Sequence, residues 1–415
     1  MVENRIILIV ADGMGDRLIP ELNHKTPLEV ANKPNIDSLA RSGLTGIIDV
    51  IGVGIPPGSA PANLALLGYD PYNCYSGRGA FEALGIGLNL MHGDIAFRAN
   101  FATVNDDFIV LDRRAGRYLS EGDILAEEIN KIKIELAPDI SIVFKRGVEH
   151  RGALILRGPN LSKDVSDTDP EKENLKVLES KPLSNDSAAL RTAKILNEFT
   201  IKSYNVLSSH PANLARLKRG DKPANIILCR GAGTLPNIQP FNERYGLRGV
   251  CIAGVPLIKG VAKAVGLDVI EVEGATGGLN SDLMAKAEAA IKSAENYDFI
   301  FVHVKGTDTA SHDGLLHEKI RMIESIDRMV GKIIDGLSRY DIYMAITADH
   351  CTPINVRDHI GDPVPVLVYG KDIVPDYVEN YNERDCLKGG IGRIRGLDLM
   401  PLLLNYSLKA KKYGE

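Results

Sequence analysis

RIILIVADGMGDR, residues 5–17, runs a string of branched apolar residues into an acid and two glycines. The apolar run lacks the polar alternation of a half-exposed strand, so it reads as a strand covered on both faces, as in parallel sheets. In open sheets of that kind, chemistry gathers at the carboxyl edge, where the loops converge. Asp12 is therefore a candidate site residue, although an ordinary Asp-Gly turn would look the same. GMGD lacks the full G-x-G-x-x-G spacing of a dinucleotide site.

Similar runs recur at 45–52, 225–231, 249–255, 268–274, 299–306, 342–348 and 364–370. Between them, residues 314–340 carry Leu316, Ile320, Ile323, Ile326, Val330, Ile333 and Leu337 at spacings of three or four, which makes one helical stripe facing a sheet. Residues 281–297 read as a second helix, with Ser281 as its cap. Strand alternating with helix predicts an α/β fold built on a doubly wound, mostly parallel sheet. A chain of 415 residues exceeds what one core usually serves, so two domains or an insertion are expected. Polar clusters break the pattern between residues 95 and 223, which reads as a smaller inserted α+β domain. That leaves 1–94 and 224–415 as the main, discontinuous domain.

The composition, 44% hydrophobic and 25% charged with a net charge of -5 and no basic block, is that of a soluble globular protein and argues against nucleic acid as a partner. Five scattered cysteines without C-x-x-C pairing suit reduced thiols in a cytoplasm. MVENRIILIV has no basic n-region, and no apolar run approaches the roughly 20 residues that span a bilayer, so no membrane association is expected. The oligomeric state stays open, and a homo-oligomer is compatible with the sequence.

Three further stretches put ligand-type side chains at the expected edge. KGTDTASHDG (305–314) spaces Asp308 and His312 by four, so one helical turn directs both to a common point; a helix cap with an incidental histidine is the alternative. TADHCTP (347–353) sets Asp349 and His350 at the end of an apolar strand, where a buried acid needs a cation or donors. His359 follows nine residues after His350. IPPGSAPANLALLG (55–68) turns into a short helix with Ser59 at its start, either as its cap or as a nucleophile. Three Asp, three His and one Ser at one sheet edge point to divalent ions. Mixed carboxylate and imidazole donors suit Zn, Mn or Co, and Mg less readily. Two such ions beside a serine hydroxyl make a site for displacement at phosphorus.

Taken in order, these residues resemble the alkaline phosphatase superfamily, and most closely its cofactor-independent phosphoglycerate mutases of the archaeal type. VADGMGD, PPGSAPANLALLGYDP, SGRGAFEALGIG, FRANFAT, EHRG, SDTDP, LCRGAG, KGTDTASHDG and TADHCTP all look like that branch. The resemblance implies a phosphatase-like domain with two divalent ions (Mn, Zn, Co or Mg), an insertion that covers the substrate, and no need for 2,3-bisphosphoglycerate. It assigns one ion to Asp308, His312 and His359, and the other to Asp12, Ser59, Asp349 and His350, with Ser59 as the catalytic residue that becomes phosphoserine. It implies a small phosphoglycerate as substrate, met by Arg230, Lys259, His150, Arg151 and Asp169. For these five, a solvated cation or a turn-forming acid is the plainer reading. The alternatives are a metal-dependent phosphomonoesterase, a mutase of another phosphorylated small molecule, or a metal-binding regulator without catalysis.

Overall fold

In the computed structural model, which describes residues 4–412 and 414, the opening run forms β1 (Asn4–Ala11), buried from Arg5 onward. The other strands follow in chain order as β2 (Leu44–Asp49), β3 (Ile95–Val104), β4 (Val110–Asp112), β5 (Ser141–Arg146), β6 (Arg151–Arg157), β7 (Ile226–Gly233), β8 (Gly249–Ile252), β9 (Asp268–Val269), β10 (Phe299–Val304), β11 (Asp341–Thr347), β12 (Val364–Gly370) and β13 (Gly392–Arg395).

Eight of them make one sheet in the order β13-β2-β12-β11-β1-β10-β8-β9. β1 is parallel to both neighbours, pairing Ile6–Ala11 with Phe299–Val304 and Asn4–Val10 with Asp341–Thr347. Among the described strands of this sheet only β12 is reversed, antiparallel to both β11 and β2. The fold is thus the expected mostly parallel α/β sheet, with Ile, Leu and Val of β1 fully buried at its centre. Helix Leu316–Gly336 buries Ile323, Ile326, Val330 and Ile333 of the stripe. The second expected helix runs Leu283–Ser293, and Asp282 rather than Ser281 caps it, accepting from Ala285 N at 2.9 Å.

The chain divides into two units, Met1–Tyr75 with Ile238–Glu415, and Ser76–Asn237. The second unit is wider than the stretch 95–223 expected as an insertion. It takes in β7, because residues 225–231 pair antiparallel with β3 instead of joining the parallel sheet. It also takes in helix Arg78–Gly85, which packs so closely on β3 that a Cβ at Gly79 would meet the Ala96 carbonyl. Its sheet, β4-β3-β6-β5 with β7 on the other side of β3, is antiparallel throughout. Helix Ser187–Ser208 covers it, and Phe97, Phe101, Phe144, Phe199 and Leu196 form its core.

Candidate metal centre

The carboxyl ends of β1, β10 and β11, three adjacent strands, deliver most of the candidate ligands. Asp12 follows β1, with its amide bonded to Val304 O at 2.9 Å. Helix Gly306–His312 follows β10 and carries Asp308 and His312 on one turn. Asp349 and His350 follow β11, and both are buried. Ser59 opens helix Ser59–Leu66, whose N-cap is Gly58, so its hydroxyl is not a cap. It lies instead 3.4 Å from His350 Nε2.

Asp308 Oδ1, His312 Nε2 and His359 Nε2 form a nearly equilateral triangle with edges of 3.4, 3.4 and 3.3 Å. The other ring nitrogen of each histidine donates to a backbone carbonyl, His312 Nδ1 to Arg357 O at 2.7 Å and His359 Nδ1 to Pro57 O at 2.8 Å. With Nδ1 the donor in each ring, the two Nε2 atoms are left facing each other beside a carboxylate. A shared cation satisfies all three atoms at once. Bonds of about 2.1 Å to a tetrahedral ion put ligand atoms about 3.4 Å apart, so these three residues fit a divalent metal.

The second set gathers on His350 Nε2, which lies 3.2 Å from Asp12 Oδ1, 3.5 Å from Asp349 Oδ1 and 3.4 Å from Ser59 Oγ. Asp12 Oδ2 is buried and faces the Lys305 ammonium at 3.0 Å and His303 Nε2 at 3.1 Å. All the metal-ligating candidates read from the sequence are therefore clustered. The grouping is denser than two separate sets, since Asp12, Asp308 and His350 also converge, as do Asp12, His303 and Asp349.

Four residues that sequence reasoning missed complete the surroundings. Lys305 Nζ lies 3.0 Å from Asp12 and 2.6 Å from Asp308. His303 Nε2 lies 3.1 Å from Asp12 Oδ2. Asn63 donates to Ser59 O at 2.8 Å and to Asp349 Oδ2 at 3.0 Å, tying the serine helix to an acid. Thr352 Oγ1 contacts both His350 and Asp308. Burial alone would raise the Asp12 carboxyl, but Lys305 and the flanking histidines hold it well below its ordinary value. Burial, and then the like charge of Asp12, push Asp349 up. Cys351, between His350 and Thr352, is buried, and burial pushes its thiol up.

The remaining candidates divide between the units. Lys259 belongs to the first, where its ammonium pairs with Glu271 at 2.5 Å. In the second, Asp169 is occupied by a bidentate contact from Arg113 at 3.0 and 2.6 Å. Arg230 pairs with Glu171, yet its Nε is buried without a partner. β3 sets Arg98 directly opposite Arg230 on β7, and Asn100 opposite Arg151 on β6. Like charges facing across a sheet are unfavourable, and Glu82 lies 3.6 Å from Arg98. Burial, then Arg78, Arg230 and Arg151, lower Arg98 to about 9, with Glu82 opposing. Burial, then Arg151 and its neighbours, take His150 to about 3. Arg78 and Arg98 carried no sequence signal beyond their charge.

Comparison with known proteins agrees with this chemistry. A family model described as the metalloenzyme superfamily matches residues 4–406. A 2,3-bisphosphoglycerate-independent phosphoglycerate mutase of Saccharolobus solfataricus is 50% identical over 415 residues, covering 100% of both chains. A solved Pyrococcus horikoshii protein superposes with a TM-score of 0.85 at 40% identity over 100% of both chains. The cofactor-independent phosphoglycerate mutase from Thermoplasma acidophilum gives 0.70 at 35%, covering 98% of this chain and 100% of its own. Among the described residues no helix is long and apolar enough to cross a membrane.

Proposed function

The chain belongs to the metalloenzyme superfamily and, within it, to the 2,3-bisphosphoglycerate-independent phosphoglycerate mutases; from that premise we propose that it interconverts 3-phosphoglycerate and 2-phosphoglycerate through a phosphoserine at Ser59. The observation that carries this reading is the Asp308, His312 and His359 triangle lying next to the cluster of Asp12, Asp349 and Ser59 around His350 Nε2. Asp308, His312 and His359 would hold one divalent ion, and Asp12, Ser59, Asp349 and His350 the other. Ions bound there would lower the pKa of the serine hydroxyl and neutralise charge on the transferring group.

The chain's own residues do the rest. Ser59 Oγ gives up its proton and forms a bond to phosphorus as the bond to the C3 oxygen of the substrate breaks, and that oxygen takes up a proton. The C2 hydroxyl then gives up a proton and takes the phosphoryl group as the bond from phosphorus to Ser59 Oγ breaks, and Oγ takes up a proton, which returns the serine to its starting state. A mutase must keep its glycerate while the phosphoryl group resides on serine. Arg230, His150 and Arg151, joined by Arg78 and Arg98, offer the cationic face for that carboxylate, and Lys259 offers a further ammonium. Asp169, paired with Arg113 at 3.0 and 2.6 Å, would meet the substrate together with that arginine. The inserted domain is the covering element in this reading, and the cytoplasm is the compartment.

Ser59→Ala should abolish turnover with little change in unfolding midpoint or metal affinity, since one half-buried hydroxyl contributes little to stability. Chelation should abolish wild-type activity, and Mn, Co, Zn or Mg should restore it to differing extents. Phosphorus NMR of 3-phosphoglycerate with the enzyme reads the product directly. Release of free phosphate without 2-phosphoglycerate would replace the mutase by a phosphomonoesterase.

A further inference from the structure

Thr352 is fully buried, and its hydroxyl bridges the two ligand sets. It donates to Asp308 Oδ1 at 3.0 Å, because a carboxylate only accepts. With its one proton committed there, it accepts from His350 Nδ1 at 2.8 Å. That bond fixes the tautomer of His350 and leaves the Nε2 lone pair facing Asp12, Asp349 and Ser59.

The bridge is held from two further directions. Thr352 N donates to Gly15 O at 3.1 Å, and Thr352 O accepts from the buried Lys319 ammonium at 3.0 Å. Gly13 lacks the Cβ that would lie 2.8 Å from both Thr352 Oγ1 and Asp308 Oδ1. The backbone has made room for this one contact.

We propose that Thr352 is a positioning residue that couples the two ion sites, so that occupation of one organises the ligands of the other. The proposal rests on the two-ion reading above. Filling the first site fixes Asp308. Through the shared hydroxyl this also fixes the ring of His350, a ligand of the second. Losing the hydroxyl frees the His350 ring and leaves Asp308 short of a donor. Partners of this kind change metal affinity by roughly 10–100-fold.

The test is Mn2+ titration of metal-free wild type, Thr352→Ser and Thr352→Val, followed by electron paramagnetic resonance. Free Mn2+ reports stoichiometry and affinity, and the spin-coupled signal reports paired ions. Valine keeps the shape, so folding should survive, and the thermal midpoint of each metal-free protein checks this. We expect two ions in wild type and in Thr352→Ser, with the coupled signal present at sub-stoichiometric metal. In Thr352→Val we expect affinity lower by about 10–100-fold and a coupled signal only near saturation. At saturating metal, kcat should recover toward wild type with KM little changed. Wild-type binding in Thr352→Val, or equal impairment in Thr352→Ser, overturns the coupling. A wild type that binds a single ion overturns the two-ion reading instead.

Discussion

Gly13 shows how finely single residues are fitted around the centre. Its φ of +65° is a left-handed conformation, and an added Cβ would lie 2.7 Å from Asp308 Cβ. Gly13→Ala should cost about 1–3 kcal/mol through backbone strain alone and should weaken metal binding by displacing Asp308. Chemical denaturation with and without Mn2+ measures both, and unchanged metal affinity would show that Asp308 tolerates the shift. Of the candidate ligands, Asp12, Asp308, Asp349 and His350 were legible in the sequence because polar side chains just after apolar strands are conspicuous, whereas Ser59, His312 and His359 were legible by their spacing from those strands. His303 and Lys305 were hidden inside FVHVKG, where a polar residue in a strand run carries no statement of which neighbour it meets. Thr352 and Asn63 were hidden differently. Small polar side chains near turns and helices have many uses, and only three-dimensional proximity separates them.

At the scale of elements, helix Leu316–Gly336 does more than cover the sheet. It sends the fully buried Lys319 ammonium to Asp16 at 2.8 Å, Thr352 O at 3.0 Å and Gly15 O at 3.2 Å, which uses all three of its donors. One side chain therefore ties the loop after β1 to the loop after β11. Lys319→Met leaves the Asp16 carboxylate buried without its cation, and should cost about 3–5 kcal/mol by denaturant melting. Lys319→Met with Asp16→Asn should recover roughly half of that loss while metal affinity stays low. Recovery of both would show that the pair has no part in placing the ligands. The sequence read most element types correctly but not their partners. Residues 225–231 have the texture of a parallel strand, yet β7 lies antiparallel to β3 in the other sheet, because apolar texture reports burial and not the neighbouring strand. Of the run at 268–274 only Asp268–Val269 pairs, with Val250 and Cys251, where the sheet ends.

For the whole molecule, the second unit has its own core, its own antiparallel sheet and adjacent chain entry and exit, since Thr234 N reaches Ser76 O at 3.4 Å. A fragment of residues 76–237 should therefore unfold cooperatively by calorimetry; a broad, heatless transition would show that its core depends on the rest of the chain. The first unit cannot be completed as early, and the reason lies in the pairing of β1. Its partners begin at Phe299 and Asp341, so this buried central strand is made about 290 residues before either neighbour exists. At synthesis rates of about 5–20 residues per second, that strand waits roughly 15–60 s, long enough for the insertion to emerge and fold first. The nascent chain thus carries an open strand edge beside a finished domain, the kind of exposure that recruits chaperones and that makes a truncated message a source of aggregates.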